Sequence, residues 1–155
     1  MARDIQDEIF CTGLVNSAVA QLGGLDILVN NAARRTAQDS VFDITTEQLD
    51  ATYKTNVYAM FWITKTALKY MTAGAAIINT TSSSAYDPSQ DLLDYASTKA
   101  AIAIFTKGLA KQVASKEIRV NAVAPGPIWT PLQLCRGQSP AKPAQFGAAG
   151  GSGGP

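Results

Sequence analysis

The sequence predicts an α/β fold built on a parallel sheet. Two observations lead there. First, three short, continuous apolar runs stand at Asp26–Asn30, Ala75–Thr81 and Ile118–Ala124, and each gives way to Asn, Ser or Pro-Gly. Runs of that kind suit strands buried on both faces, whereas a half-exposed strand alternates. Second, the stretches between the runs carry apolar residues at helical spacing and are long enough for crossover helices. Such alternation gives a parallel sheet with right-handed connections.

In chain order, Asp4 to Leu22 reads as a helix, with Ile9, Leu14, Val15, Ala18, Val19 and Leu22 in its stripe and Gly23-Gly24 as its stop. The first strand, Asp26–Asn30, closes on Asn30 and Asn31. Arg34 to Ile44 is polar and irregular. Thr45 or Thr46 then caps a helix that is expected to run to about Met71, with Glu47 and Asp50 in its first turn. Its stripe, which includes Leu49, Tyr53, Val57, Met60, Phe61 and Leu68, is broader than one sheet contact requires. Asn56 stands inside it, although Asn competes for backbone hydrogen bonds and is a poor interior helix former. Gly74 precedes the second strand, and Ser82-Ser83-Ser84 follows that strand's carboxyl end, where open α/β sheets bind ligands. A helix over Tyr95–Ala114 leads to the third strand, which Pro125-Gly126 terminates.

Composition excludes several classes. With 155 residues, 46% of them hydrophobic and 16% charged, the chain suits one modest globular domain. A net charge of +1 offers no basic face for nucleic acid. The absence of histidine removes a Ser-His-Asp triad and histidine metal sites, and Cys11 and Cys135 lack metal spacing, so no metal is expected. Two reduced thiols suit a cytoplasmic protein. The charged N-terminus does not read as a signal peptide, and no run reaches the ~20 apolar residues that span a bilayer. The end, 147–155, is Gly-rich and reads as a flexible tail.

The densest chemistry lies in Asp94-Tyr95-Ala96-Ser97-Thr98-Lys99. Residues i and i+4 of a helix share a face, so Tyr95 and Lys99 sit one turn apart. A free phenol, with a pKa of about 10, is a poor base near neutrality, and a neighbouring cation lowers that value. The pair by itself is common on helices. It is joined here by Asn30-Asn31-Ala32-Ala33, Asn56, Ser82 and Pro125-Gly126-Pro127-Ile128-Trp129-Thr130.

In this order and spacing the set resembles the short-chain dehydrogenase/reductase family, from about Asp4 to Phe146. The resemblance implies a partial Rossmann-type, doubly wound domain over 1–146, with about three core strands and flanking helices. The glycine-rich TGxxxGxG turn of the family is absent, and Ala33 stands where Gly is usual. The implied activity is interconversion of an alcohol or sugar hydroxyl and a carbonyl with NAD or NADP. Tyr95 would exchange the proton, and Ser82, thirteen residues earlier, would hydrogen-bond the substrate oxygen, with Ser83 and Ser84 as alternates. Lys99 would bind the nicotinamide ribose and lower the Tyr95 pKa, and Asn56 would complete a proton relay through water. Asn31, Ala32, Pro125, Gly126, Ile128 and Thr130 would line the cofactor together with Tyr95 and Lys99. The implied partners are a small alcohol or carbonyl substrate and a second copy of the chain, joined through helices 46–71 and 95–114, with no nucleic acid and no membrane.

Two other readings stay open. A related isomerase, dehydratase or epimerase would keep the Tyr and Lys, although the Pro-Gly-x-Ile-x-Thr run argues for the dehydrogenases. A non-catalytic remnant acting only in subunit association would follow from the absent glycine-rich turn.

Overall fold

The structure, a computed structural model, describes residues 4–128, 130 and 132. Cys135 and the 147–155 tail lie outside the described residues. The elements are α1 (Glu8–Leu22), β1 (Ile27–Asn30), α2 (Thr46–Tyr53), a π turn (Lys54–Tyr58), α3 (Ala59–Ala67), β2 (Ala76–Thr80), α4 (Leu93–Val113) and β3 (Arg119–Val123), with short 3-10 turns between them. Among the described residues the sheet has three strands in the order β1-β2-β3, and both pairings are parallel.

Local chemistry accounts for the helix ends. Asp7 caps α1 by accepting from the Ile9 and Phe10 N–H groups, so the helix starts at Glu8, after the expected Asp4. Gly23 closes it at φ 80°, a left-handed conformation that glycine adopts without a Cβ clash. Thr45 caps α2 through the Gln48 N–H. The single helix expected to reach Met71 is different in two ways. Its middle widens into a π turn, in which the Ala59 N–H donates to the Lys54 carbonyl, and it ends at Ala67. The π turn is centred on Asn56, whose side chain bonds the Arg34 backbone.

The register puts Leu28, Ile77 and Val120 side by side on one face. Val15 of α1, Ala67 of α3, and Leu109 and Val113 of α4 pack on that face and form the core. Ile27 and Val29 point to the opposite face and are 62% and 55% exposed.

A polar ladder crosses the helix-covered face just below the strand ends. The Asn30 amide donates to Thr64 on α3 at 3.1 Å and to Asn79 on β2 at 2.9 Å, and the Asn79 amide donates to Thr106 on α4 at 2.9 Å. Each member has a partner, which is the condition for burying such groups cheaply. Asn79→Ala is therefore expected to leave the Asn30 amide and the Thr106 hydroxyl short of partners. The expected loss is about 2–3 kcal/mol of unfolding free energy in a urea titration. A loss below 0.5 kcal/mol would show that the ladder is not a stabilising element.

Candidate active site

The site forms where the three strands end. Beyond β2 and β3 the chains stay zipped: the Thr81 N–H donates to the Val123 carbonyl at 2.9 Å and the Ser83 N–H to the Pro125 carbonyl at 3.0 Å. Thr80 donates to the Asn31 side chain across the β1 end at 3.0 Å. Between these segments and the first turn of α4 opens a cleft of about 610 Å³, within the usual range for small-molecule sites. Its wall includes Asn31, Ala32, Ser82, Tyr95, Lys99, Pro125, Gly126, Ile128 and Thr130. The candidate catalytic and cofactor-lining residues thus share one cavity, except Asn56, and Asn30 of the Asn-Asn pair also stands outside its wall.

Lys99 is 2% exposed. Its ammonium donates to the Thr80 carbonyl at 2.7 Å, and its own carbonyl accepts from the Thr81 hydroxyl at 2.7 Å. The ammonium stands 5.4 Å from the centroid of the Tyr95 ring. Burial pushes its pKa down to about 8. The Tyr95 phenol is raised above its ordinary value by burial, while a hydrogen bond with Ser82 and the positive charge of Arg35 pull it back. The ammonium is engaged at the β2 carbonyl, and the Arg35 guanidinium is a further cation near the phenol.

Arg35 was not legible as a site residue, because Arg34 to Ile44 reads as irregular and polar. In the fold it is 7% exposed, lines the cleft and donates through Nε to the Leu132 carbonyl at 3.1 Å. An adjacent pair of arginines directly after Asn-Asn-Ala-Ala was the available signal. Asn56 is 2% exposed, and its amide is committed. It accepts from the Arg34 N–H at 2.8 Å and donates to the Arg34 carbonyl at 2.9 Å and to Thr98 at 3.0 Å. Thr98 in turn donates to the Tyr95 carbonyl, so Asn56 braces the turn that carries Tyr95 and Lys99. Ser82 points its hydroxyl toward the phenol and also accepts from the Ser84 N–H at 3.1 Å. Among the described residues no group of His, Cys, Asp and Glu could hold a metal ion.

A parallel α/β sheet with a hydroxyl, phenol and ammonium gathered at its carboxyl ends defines the ligand-binding edge of a nucleotide-binding type of fold. A family model described as enoyl-(acyl carrier protein) reductase matches residues 1–146. An uncharacterized oxidoreductase of Bacillus subtilis, YhxD, is 51% identical over 144 residues, which cover 93% of this chain and 48% of that protein. Glucose and ribitol dehydrogenase of Daucus carota is 48% identical over 132 residues, which cover 85% of this chain and 46% of that protein. Among solved structures, a short-chain dehydrogenase from Burkholderia cenocepacia in complex with NADP superposes with a TM-score of 0.84. It is 32% identical, over 94% of this chain and 58% of that one. The chain belongs to the short-chain dehydrogenase/reductase family. It spans about half the length of the curated relatives it matches.

The Lys99 shift has a measurable consequence. Between about pH 8 and its ordinary value of 10.5, a Lys99 whose pKa is lowered by folding binds fewer protons folded than unfolded. Stability therefore rises with pH across that window. The raised Tyr95 acts in the opposite sense only above about pH 10. Relative to Lys99→Met, the unmodified chain is expected to gain about 2 kcal/mol between pH 7.5 and 9.5 in denaturant titrations. A flat difference would show that the ammonium is not buried.

Proposed function

We propose that these residues form the catalytic and nicotinamide-binding half of an NAD- or NADP-dependent oxidoreductase that interconverts an alcohol or sugar hydroxyl and a carbonyl. The observation that carries the reading is the convergence of Ser82, Tyr95 and Lys99 on one cleft at the strand ends. The likeness to glucose and ribitol dehydrogenase supports the hydroxyl-bearing substrate class, and the NADP-bound neighbour supports the cofactor class.

The cleft suits a nicotinamide ribose. Apolar Ala32, Pro125 and Ile128 stand beside the Thr130 hydroxyl and the Lys99 ammonium, an apolar wall with a few convergent polar groups. Lys99 would hold the ribose hydroxyls, Asn31 and Ala32 the adjoining wall, and the Pro125–Ile128 backbone with Thr130 the nicotinamide ring. When bound, the cofactor supplies or accepts the hydride. The protein's part is the proton. Ser82 hydrogen-bonds the substrate oxygen and fixes it beside the phenol. In reduction, Tyr95 gives its proton to that oxygen, and in oxidation it receives it. Arg35 favours the phenolate needed for the second direction. Asn56 acts through its clamp on Arg34 and Thr98, which holds the turn bearing Tyr95. The free, buried Cys11 is in keeping with a cytoplasmic setting.

In a chain extended to the relatives' length with a glycine-rich turn, Tyr95→Phe is expected to lower NAD(P)H turnover by about 10²–10⁴-fold with the fold intact. Near-full activity in the Phe variant would remove Tyr95 as the acid–base residue. The sequence carries no TGxxxGxG pattern, and among the described residues no glycine-rich turn leads from a strand into a helix to receive the pyrophosphate. This chain alone is accordingly expected to show no saturable micromolar binding of NADH or NADPH in a fluorescence titration, and such binding would refute that expectation.

The outer faces of α3 and α4 support self-association. Phe61 and Ile104 are exposed there, with Tyr58 of the π turn beside them in sequence, and the Phe61 and Phe105 rings pack at 4.3 Å. Sedimentation at micromolar concentration is expected to show a dimer or larger species. A monodisperse monomer would count against the interface.

A further inference from the structure

We propose that Asp94 is a positioning residue for the acid–base site, holding the first turn of α4, and with it Tyr95, against α2. The inference rests on the dehydrogenase reading for its functional meaning, while its structural content stands on the hydrogen bonds themselves.

Asp94 is 3% exposed, and its carboxylate collects three donors. The Tyr95 N–H reaches Oδ1 at 2.8 Å. The Gln48 amide and the Thr52 hydroxyl, one turn apart on α2, reach Oδ2 at 3.1 and 2.9 Å. Thr52 has a single hydroxyl proton and a second acceptor in range, the Gln48 carbonyl at 2.9 Å. The carboxylate wins that proton, because bonds to a charged acceptor are about twice as strong as neutral ones. Gln48 is itself held, accepting from the Gln38 amide at 2.7 Å, and the Gln38 N–H donates to the Asp91 carbonyl at 2.9 Å. The network thus links α2, the segment after β1 and the approach to α4.

The first turn of α4 needs this support. Leu92, at its N-cap, has no side-chain oxygen to offer the unpaired N–H groups there. Asp94 serves one of them instead, the Tyr95 N–H, with a charge of the sign that a helix N-terminus favours. Two further bonds secure the same turn. Tyr53 donates to Ser97 at 3.2 Å, and Ser97 donates to the Asp94 carbonyl at 2.7 Å. An apolar contact would bury this seam with less desolvation, but it would let the turn slide and rotate. Directional bonds to a rigid neighbour fix it. Asp94 immediately precedes Tyr95, so any displacement of the turn moves the phenol relative to Ser82. A misplacement of about 1 Å can cost ~10²-fold in rate.

The test is amide hydrogen exchange by NMR on residues 1–155, with Asp94→Asn, Thr52→Val and Thr52→Ser. In Asp94→Asn the amides of Ala96–Lys99 are expected to exchange about tenfold faster or more, with Ile102–Leu109 unchanged. Thr52→Val should give the same local pattern, smaller in size, and Thr52→Ser, which keeps the donor, should match the unmodified chain. If Asp94→Asn does not fold, the Val and Ser pair at Thr52 decides. Unchanged exchange in the first turn, or acceleration spread evenly along α4, overturns the proposal. In the extended, active enzyme, Asp94→Asn should lower kcat about tenfold, and Thr52→Ser should leave kcat unchanged. A loosened turn with full kcat also overturns it. Absence of turnover in the unmodified extended enzyme would sink the dehydrogenase reading alone, and the exchange data would still decide the role of Asp94.

Discussion

Lys99 is fastened to the end of β2 through both its side chain and its backbone, and the arrangement of the cleft depends on that attachment. A strand's last carbonyls have fewer ladder partners than those inside it, so the Thr80 carbonyl is available to the ammonium. The Thr81 hydroxyl answers from the next residue by donating to the Lys99 carbonyl. The two bonds hold α4 at one height against β2. Tyr95, one turn earlier, then meets Ser82, two residues beyond Thr80, with no further adjustment. The same burial that gives this precision disfavours the charged ammonium and brings its pKa down to about 8.

Around this point the protein spends polar groups where apolar ones would pack more simply. Asn30, Asn79, Thr64 and Thr106 form a ladder under the strand ends, and Asn56 and Thr98 form a brace beside it. Fully satisfied networks of this kind contribute little net stability, yet they admit few alternative packings. Their concentration on the cleft side, with the aliphatic core of Val15, Ile77, Leu109 and Val120 farther down the sheet, divides the domain into a part that stabilises and a part that aligns.

The π turn at Lys54–Tyr58 belongs to the aligning part. A π turn is rare and is often found at functional sites, because it shifts the phase of the helix around one position. Here it delivers Asn56 to the Arg34 backbone while α2 and α3 keep their own faces toward α4 and α1. The exposed Ile27 and Val29 on the far face of the sheet, and the aromatic face of α3, are apolar areas of the kind that proteins cover with further structure.

The sequence by itself determined the order and type of the elements, the three parallel strands, the Gly23 stop and the i, i+4 pairing of Tyr95 with Lys99. Each of these follows from local periodicity or from the conformational range of one residue. Periodicity also placed Ser82 and Pro125-Gly126 at strand ends, which is where a cleft forms in such a sheet. Only the tertiary structure decided the rest. The π turn interrupts a helix whose apolar spacing gives no sign of it, because Asn56 answers to Arg34, 22 residues away. Arg35 reads as part of an irregular loop until Leu132, 97 residues later, accepts its Nε. The direction of the Lys99 ammonium depends on a carbonyl 19 residues upstream. The role of Asp94 depends on Thr52, 42 residues away. A pattern read along the chain reports which face a residue occupies. It carries no information on which distant polar group waits on that face, and that pairing sets burial, charge state and orientation at this site.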